Sequence, residues 1–394
     1  MKLFTKDRKG QLSMSFNWIF VLIIGAVLLG FFFTAISGGS KTTEQKISVS
    51  LVKHFETIIF SSGQKSGTLK TYATPEVELS FVCDDADGYY NYRVGDLKAR
   101  DTKYDILFTP ETLKGDSIIT WTQNWQVPYS VATVMYITNK NQMFVFENKD
   151  NTNSRLFKDL TENFAQNVTT YVIDNEHSFD TVPKGYTQYT YVLLANDTGM
   201  TSNKFIKEDN VNVVLIYPAK NDVFAYGDVF FFDASDYFFN IDNYDLMSDD
   251  VPVVSSVLGE LSEEFGGGQI RSTSEKEGHS GYIGKAGLYG AVFSGTQNLY
   301  ECNMNKARHR LLLLTTLQKN KLDVIGPDVS SNCQQMLGLD PLLPGPFQTL
   351  TQIEDYVAEE SFDFRVIPQI YTLGSRLQEQ NDDLSVLGSC PTVY

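Results

Sequence analysis

Between Lys9 and Lys41 the chain carries no charged residue, and inside that gap Trp18 to Ile36 reads WIFVLIIGAVLLGFFFTAI. Nineteen residues at helical rise reach ~29 Å, which matches the hydrocarbon core of a bilayer. The remainder of the chain is polar enough to be soluble. The chain is therefore expected to be tethered to a membrane, or to have been tethered during export. Lys2, Lys6, Arg8 and Lys9 lie just before the span with only Asp7 opposing them. Positive charge stays on the cytoplasmic side, so residues from about 40 onward should lie outside.

Three readings fit this segment. One is a signal-anchor helix that stays uncut. Another is a secretory signal with its apolar region over Trp18 to Phe33 and small residues at Ala35-Ile36-Ser37 for the cut. The third rests on Lys9-Gly10-Gln11, which precedes the apolar run rather than coming after it. This arrangement resembles the class III signal peptides of archaeal type IV pilin-like proteins, and the match is confined to about residues 6–36. The resemblance implies a prepilin-type peptidase that cuts between Gly10 and Gln11 and leaves the apolar helix on the mature protein. Many pilins carry Glu five residues into the mature chain for filament assembly. Here that position is Ser15, which argues against a major filament subunit, and the chain is long for one. The third reading is preferred. Within the span, Gly25, Ala26 and Gly30 offer small residues for close packing of helices in lipid, a route to homo- or hetero-oligomers through the N-terminal helix; glycine and alanine are also simply frequent in membrane helices.

The expected fold class is α+β. A single N-terminal transmembrane helix continues into an extracytoplasmic β-rich and α/β region, followed by a C-terminal helical subdomain. Residues 1–10 are a basic leader and 11–62 an extended helix, in which Ile47, Leu51, Phe55 and Ile58 make one apolar stripe. Residues 63–150 read as β-rich, with alternation at Val77, Leu79 and Phe81 and a hairpin from Val134 to Phe146 folded over Asn139-Lys140-Asn141. Trp121, Trp125 and Pro128 are placed between strands as a core aromatic cluster. Residues 151–260 form a mixed α/β domain, with a helix from Ser154 to Gln166 and a run Val213-Val214-Leu215-Ile216 suited to a strand buried on both faces. Residues 261–300 read as glycine-rich linker and loops. Residues 301–394 carry three helical stripes: Met304, Ala307, Leu311, Leu314; then Phe347, Leu350, Ile353, Tyr356; then Ile370, Leu373, Leu377, Leu384.

Four cysteines, Cys83, Cys302, Cys333 and Cys390, permit two disulfides outside the cell. Of three connectivities, Cys302–Cys333 with Cys83–Cys390 is the expected one. None has CxxC spacing, which argues against structural zinc. Asn167-Val-Thr and Asn196-Asp-Thr are glycosylation sequons. The formal net charge of −16 argues against a nucleic-acid partner, which would need a basic stripe.

Chemistry-bearing spacing is sparse. His54, His177, His279 and His309 stand far apart, without HExxH spacing, and no GxSxG is present. Gly284-Lys285 is followed by Ala286 and lacks the upstream glycine of a phosphate loop, so Gly278 to Gly290 reads as a packed loop before a helix. Asp84, Asp85 and Asp87 make a weak calcium candidate, interrupted by Ala86 and better read as an acidic turn. Asp242, Asp245, Asp249 and Asp250 read as a solvated loop. Lys306, Arg308, His309 and Arg310 read as a solvent-facing basic cluster. The chain is expected to be no enzyme and to need no cofactor. It reads as a membrane-anchored structural or adhesion protein, a pilin-like minor or accessory subunit of a cell-surface filament, with membrane lipid and the peptidase as partners. The alternative is a signal-anchored envelope enzyme or ligand-binding receptor.

Overall fold

The computed structural model describes residues 21–30, 50–61, 63, 65–84, 89–95, 97, 100–102, 105–147, 155–173, 182–194, 210–218, 226–233, 278–340, 343–358, 366–387 and 390–394. The chain divides into two units, Met1–Glu56 and Thr57–Tyr394. Residues 21–30 form a helix, α1. Among the described residues no helix is long and apolar enough to cross a membrane, and the remainder of the expected span lies outside the described residues. Residues 50–61 form α2, whose Leu51, Phe55 and Ile58 are buried, as the stripe requires.

The second unit is α+β. Its first sheet contains β1 (Leu69–Asp84), β2 (Tyr89–Val94), β3 (Arg100–Asp101), β4 (Leu107–Phe108), β5 (Thr112–Gln126) and β6 (Ser130–Thr138), in the order β3-β2-β1-β5-β6-β4. All pairings are antiparallel except β4 with β6. The long central strand β5 is rich in β-branched and aromatic residues, which suit a pleated surface flanked on both sides. Trp121 and Trp125 lie within β5 rather than between strands, and both are buried in the core.

The second sheet contains β7 (Gln142–Glu147), β8 (Thr169–Ile173), β9 (Gln188–Leu194), β10 (Val211–Pro218), β11 (Tyr226–Asp233) and β12 (Gly278–Ile283), ordered β12-β11-β10-β9-β7-β8. Strands β8, β7, β9 and β10 are parallel; β11 runs antiparallel to both of its neighbours, β10 and β12. In β10, Val214 and Ile216 enter the main core while Val213 and Leu215 enter a smaller cluster on the opposite face. That is why four apolar residues stand in a row without alternation. Helix α3 (Arg155–Glu162) links β7 to β8 and is shorter than the expected 154–166; Phe164 is buried just beyond its end.

The expected hairpin over Asn139-Lys140-Asn141 is corrected. The asparagines do make a turn, with Asn141 N donating to Asn139 Oδ1 at 2.9 Å. The turn instead carries the chain from one sheet into the other. Strand β6 is already flanked by β5 and β4 and has no edge left for β7. Thr138 donates to Gln142 Oε1 at 2.6 Å, and Gln142 Nε2 donates to Thr190 at 3.1 Å, so the buried polar groups at this crossing are paired.

The expected loop and linker over 261–300 is also corrected in its second half; residues 261–277 lie outside the described residues. Strand β12 runs directly into α4 (Gly284–Ser294), with Gly284 at φ +70 making the junction. Every residue of α4 from Ala286 to Ser294 is buried. Phe293 meets Tyr136 of the first sheet and Phe144 of the second, each at 5.0 Å between ring centroids. The helix therefore fills the space between the sheets, and apolar residues on all its faces are what that position demands.

Beyond it lie α5 (Gln297–Ile325), α6 (Ser331–Met336), α7 (Pro346–Ala358) and α8 (Ile367–Leu387). Each expected stripe is the packed face of its helix: Met304, Ala307 and Leu311 on α5, Leu350 and Ile353 on α7, and all four leucine and isoleucine positions on α8 are buried. Two disulfides tie these helices, and their pairing corrects the expectation: Cys83 bonds Cys302, and Cys333 bonds Cys390. Helix α5 is continuous from Cys302 to Ile325, a rise of ~35 Å. Cys333 comes after its far end, beyond the reach of a bridge to Cys302.

Candidate functional site

The four parallel strands of the second sheet create one position that topology marks for binding. From β7 the chain crosses through α3 to β8 on one side, then returns past β7 to β9 on the other. The connections diverge at the carboxyl ends of β7 and β9, which is where open parallel sheets form a ligand crevice. Glu147 ends β7 there, in register with Ile173 of β8 and Leu193 of β9. It is only 8 % exposed. Tyr191 Oη donates to Glu147 Oε2, which satisfies a carboxylate that would otherwise be costly to bury. Two neighbouring strands place these side chains on one face, because Tyr191 pairs with Val145 and Val145 shares a face with Glu147.

A second polar cluster joins α3 to α4. Lys285 Nζ lies 2.6 Å from Asp159 Oδ1 and 2.5 Å from Oδ2, and Tyr289 Oη donates to Oδ2 at 2.9 Å. Burial pushes the Tyr289 phenol well above its ordinary range, and the adjacent Asp159 charge adds to this. The phenol therefore stays protonated and keeps donating. Both Asp159 oxygens are occupied, so the group is arranged as a clasp between helices rather than as a general base. Lys285 serves this clasp and not a phosphate.

The basic run on α5 divides, which corrects the solvent-facing reading. Lys306 Nζ donates to Thr102 O at 2.8 Å, Thr102 Oγ1 at 3.1 Å and Asp105 O at 3.1 Å, and lies 5.2 Å over the Tyr90 ring. It holds the segment after β3 against the helix. Asp105 is pushed up by burial, with Lys306 and Arg310 pulling it back. Arg308 is 7 % exposed and donates to Val357 O at 2.8 Å, covering a carbonyl of the last turn of α7 where a cation also suits the helix dipole. His309 is exposed, and partial burial together with the Arg308 charge holds its imidazole below the ordinary value.

The remaining candidates are dispersed. Lys9, Gly10 and Gln11 lie outside the described residues, as do Asn196, Asp85, Asp87, His177 and the aspartates from 242 to 250. Gly25, Ala26 and Gly30 lie on α1, and a Cβ added at either glycine would meet nothing within 4 Å. Asn167 is exposed in a turn before β8. His54 is exposed on α2, and His279 lies on β12. Among the described residues no group of three His, Cys, Asp or Glu is placed to hold a metal ion. Sequence reasoning missed Glu147 and Asp159, since neither carries a spacing signal; the one available hint for Glu147 was a charged residue ending an apolar strand. Comparison with protein-family models, with curated proteins and with solved structures returns no match to this chain.

Proposed function

We propose that this chain is a membrane-anchored, extracytoplasmic structural or adhesion protein, a pilin-like minor or accessory subunit of a cell-surface filament. The observation that carries this reading is the placement of Lys9-Gly10-Gln11 immediately before a charge-free apolar run. Two further features support it. On α1, Val21, Leu22, Val27 and Leu29 are each more than half exposed, and an apolar helix with its side chains uncovered calls for lipid or a partner helix. The two disulfides suit an oxidising compartment. On this reading, membrane lipid and a prepilin-type peptidase are the partners of the N-terminal segment, and the folded unit works by packing and contact.

Mass spectrometry of the mature N-terminus tests the proposal. A start at Gln11 is the expected result. A start at Met1 leaves a plain anchor, and a start at Gly38 refutes the filament reading outright.

A second reading, an envelope receptor for a small ligand, is favoured by the buried Glu147 at the switch point of the second sheet. A thermal-shift screen of polar small molecules tests it. A compound that stabilises the native chain but not Glu147→Ala supports the receptor; equal shifts in both place the compound elsewhere.

A further inference from the structure

We propose that Asn167 is an N-glycosylation site. The inference rests on the extracytoplasmic reading and adds a modification site to it.

The local backbone presents the acceptor. Helix α3 stops at Glu162, the chain turns at Gln166 and Asn167, and β8 begins at Thr169. Val168 is buried and its N–H donates to Ala165 O at 2.9 Å. Asn167 is exposed and Thr169 half-exposed. These are the amide and the hydroxyl that the Asn-X-Thr acceptor requires. Asn167 Nδ2 donates to Thr71 Oγ1 at 3.2 Å, and that bond is solvent-exposed. The nitrogen is thus available at the surface without unfolding any core element.

The donor class is an oligosaccharide linked to a polyprenyl phosphate. Asn167 Nδ2 forms a bond to the anomeric carbon, and the bond from that carbon to the carrier's phosphate oxygen breaks. The phosphate leaves with the electron pair, and one amide proton is lost to a base. Nothing is oxidised or reduced. The second amide hydrogen remains on the nitrogen.

The test uses the full chain purified from its native membranes. The peptide containing Asn167 should carry the mass of at least one sugar residue. Asn167→Gln and Thr169→Ala should abolish that addition, while Thr169→Ser, which keeps the hydroxyl, should retain it. An unmodified Asn167 overturns the proposal. If protease added to intact cells digests that unmodified protein, only the glycan inference fails; if the protein is protected, the extracytoplasmic reading fails with it.

Discussion

Gly290 should be intolerant of even one added carbon, and the reason is a single aromatic ring. A Cβ built there would lie 2.8, 2.8 and 2.9 Å from three ring carbons of Phe108, well inside the ~3.5–4.0 Å at which carbon atoms attract. The ring has little room to retreat. It lies 5.9 Å from the Tyr136 ring and 5.8 Å from the Tyr300 ring, and both tyrosines are fully buried. Tyr136 is fixed further by donating to Ala286 O at 2.8 Å, and Tyr300 by donating to Gly281 O at 3.0 Å. Overpacking a core of this kind costs about 2–3 kcal/mol. Alanine returns about 1 kcal/mol as the better helix former. Gly290→Ala should therefore destabilise by about 1–2 kcal/mol. Urea unfolding of the detergent-solubilised chain, followed by tryptophan fluorescence, should show the midpoint falling by about 0.5 M if the slope is near 3 kcal/mol/M. The sharper measurement repeats the substitution in Phe108→Leu. With the ring gone, only the helix preference remains, and Gly290→Ala should now stabilise by about 1 kcal/mol. A neutral Gly290→Ala, or the same loss in both backgrounds, would refute the packing argument.

The same structure sets three other outcomes. Asn381 Oδ1 accepts the backbone N–H of Val393 at 2.7 Å in a buried setting, so Asn381→Ala should destabilise by about 1–3 kcal/mol and speed amide exchange at Val393. Breaking the Cys333–Cys390 bond with Cys390→Ser releases a loop of 57 residues and should cost up to about 4 kcal/mol, measured as a lower urea midpoint. Hydrogen bonds from Lys319, then Thr316, hold the Glu354 carboxyl below its ordinary 4.5. Because the folded value is depressed, the stabilisation is present above pH 4.5 and disappears as pH falls through the folded value. Glu354→Gln should flatten the acid side of the stability profile in that window and leave the alkaline side unchanged.

Local periodicity was legible in the sequence wherever one face of an element meets the core. The stripes on α7 and α8 and the unbroken run in β10 report their own burial, because spacing and burial are set by the same element. Partners distant in sequence were not legible. Lys285 and Asp159 lie 126 positions apart, and Lys306 reaches Thr102 across 204, so Lys306 read as solvent-facing and Lys285 as part of a packed loop. The disulfide pairing and the division of β6 and β7 between sheets depend on the same long-range geometry. Gly278–Gly290 misled for another reason. Glycines suggested a loop, whereas Gly287 and Gly290 sit within the buried helix α4, and Gly290 is small because the Phe108 ring presses on it. The signal lay in the large apolar residues between and beyond them, Leu288, Tyr289, Val292 and Phe293, which a solvent loop would not carry.

The Cys83–Cys302 bond has a mechanical consequence. The bond spans 219 positions, which at ~3.4 Å per extended residue is a contour of roughly 740 Å. A pulling force applied from outside the two cysteines passes through the sulfur bridge, and none of that length can be drawn out while the bond holds. All of β2 to β12 and α4 lie within the shielded stretch. Under tension the molecule would yield only its flanking segments, and reduction would turn a short, stiff link into a long, extensible one.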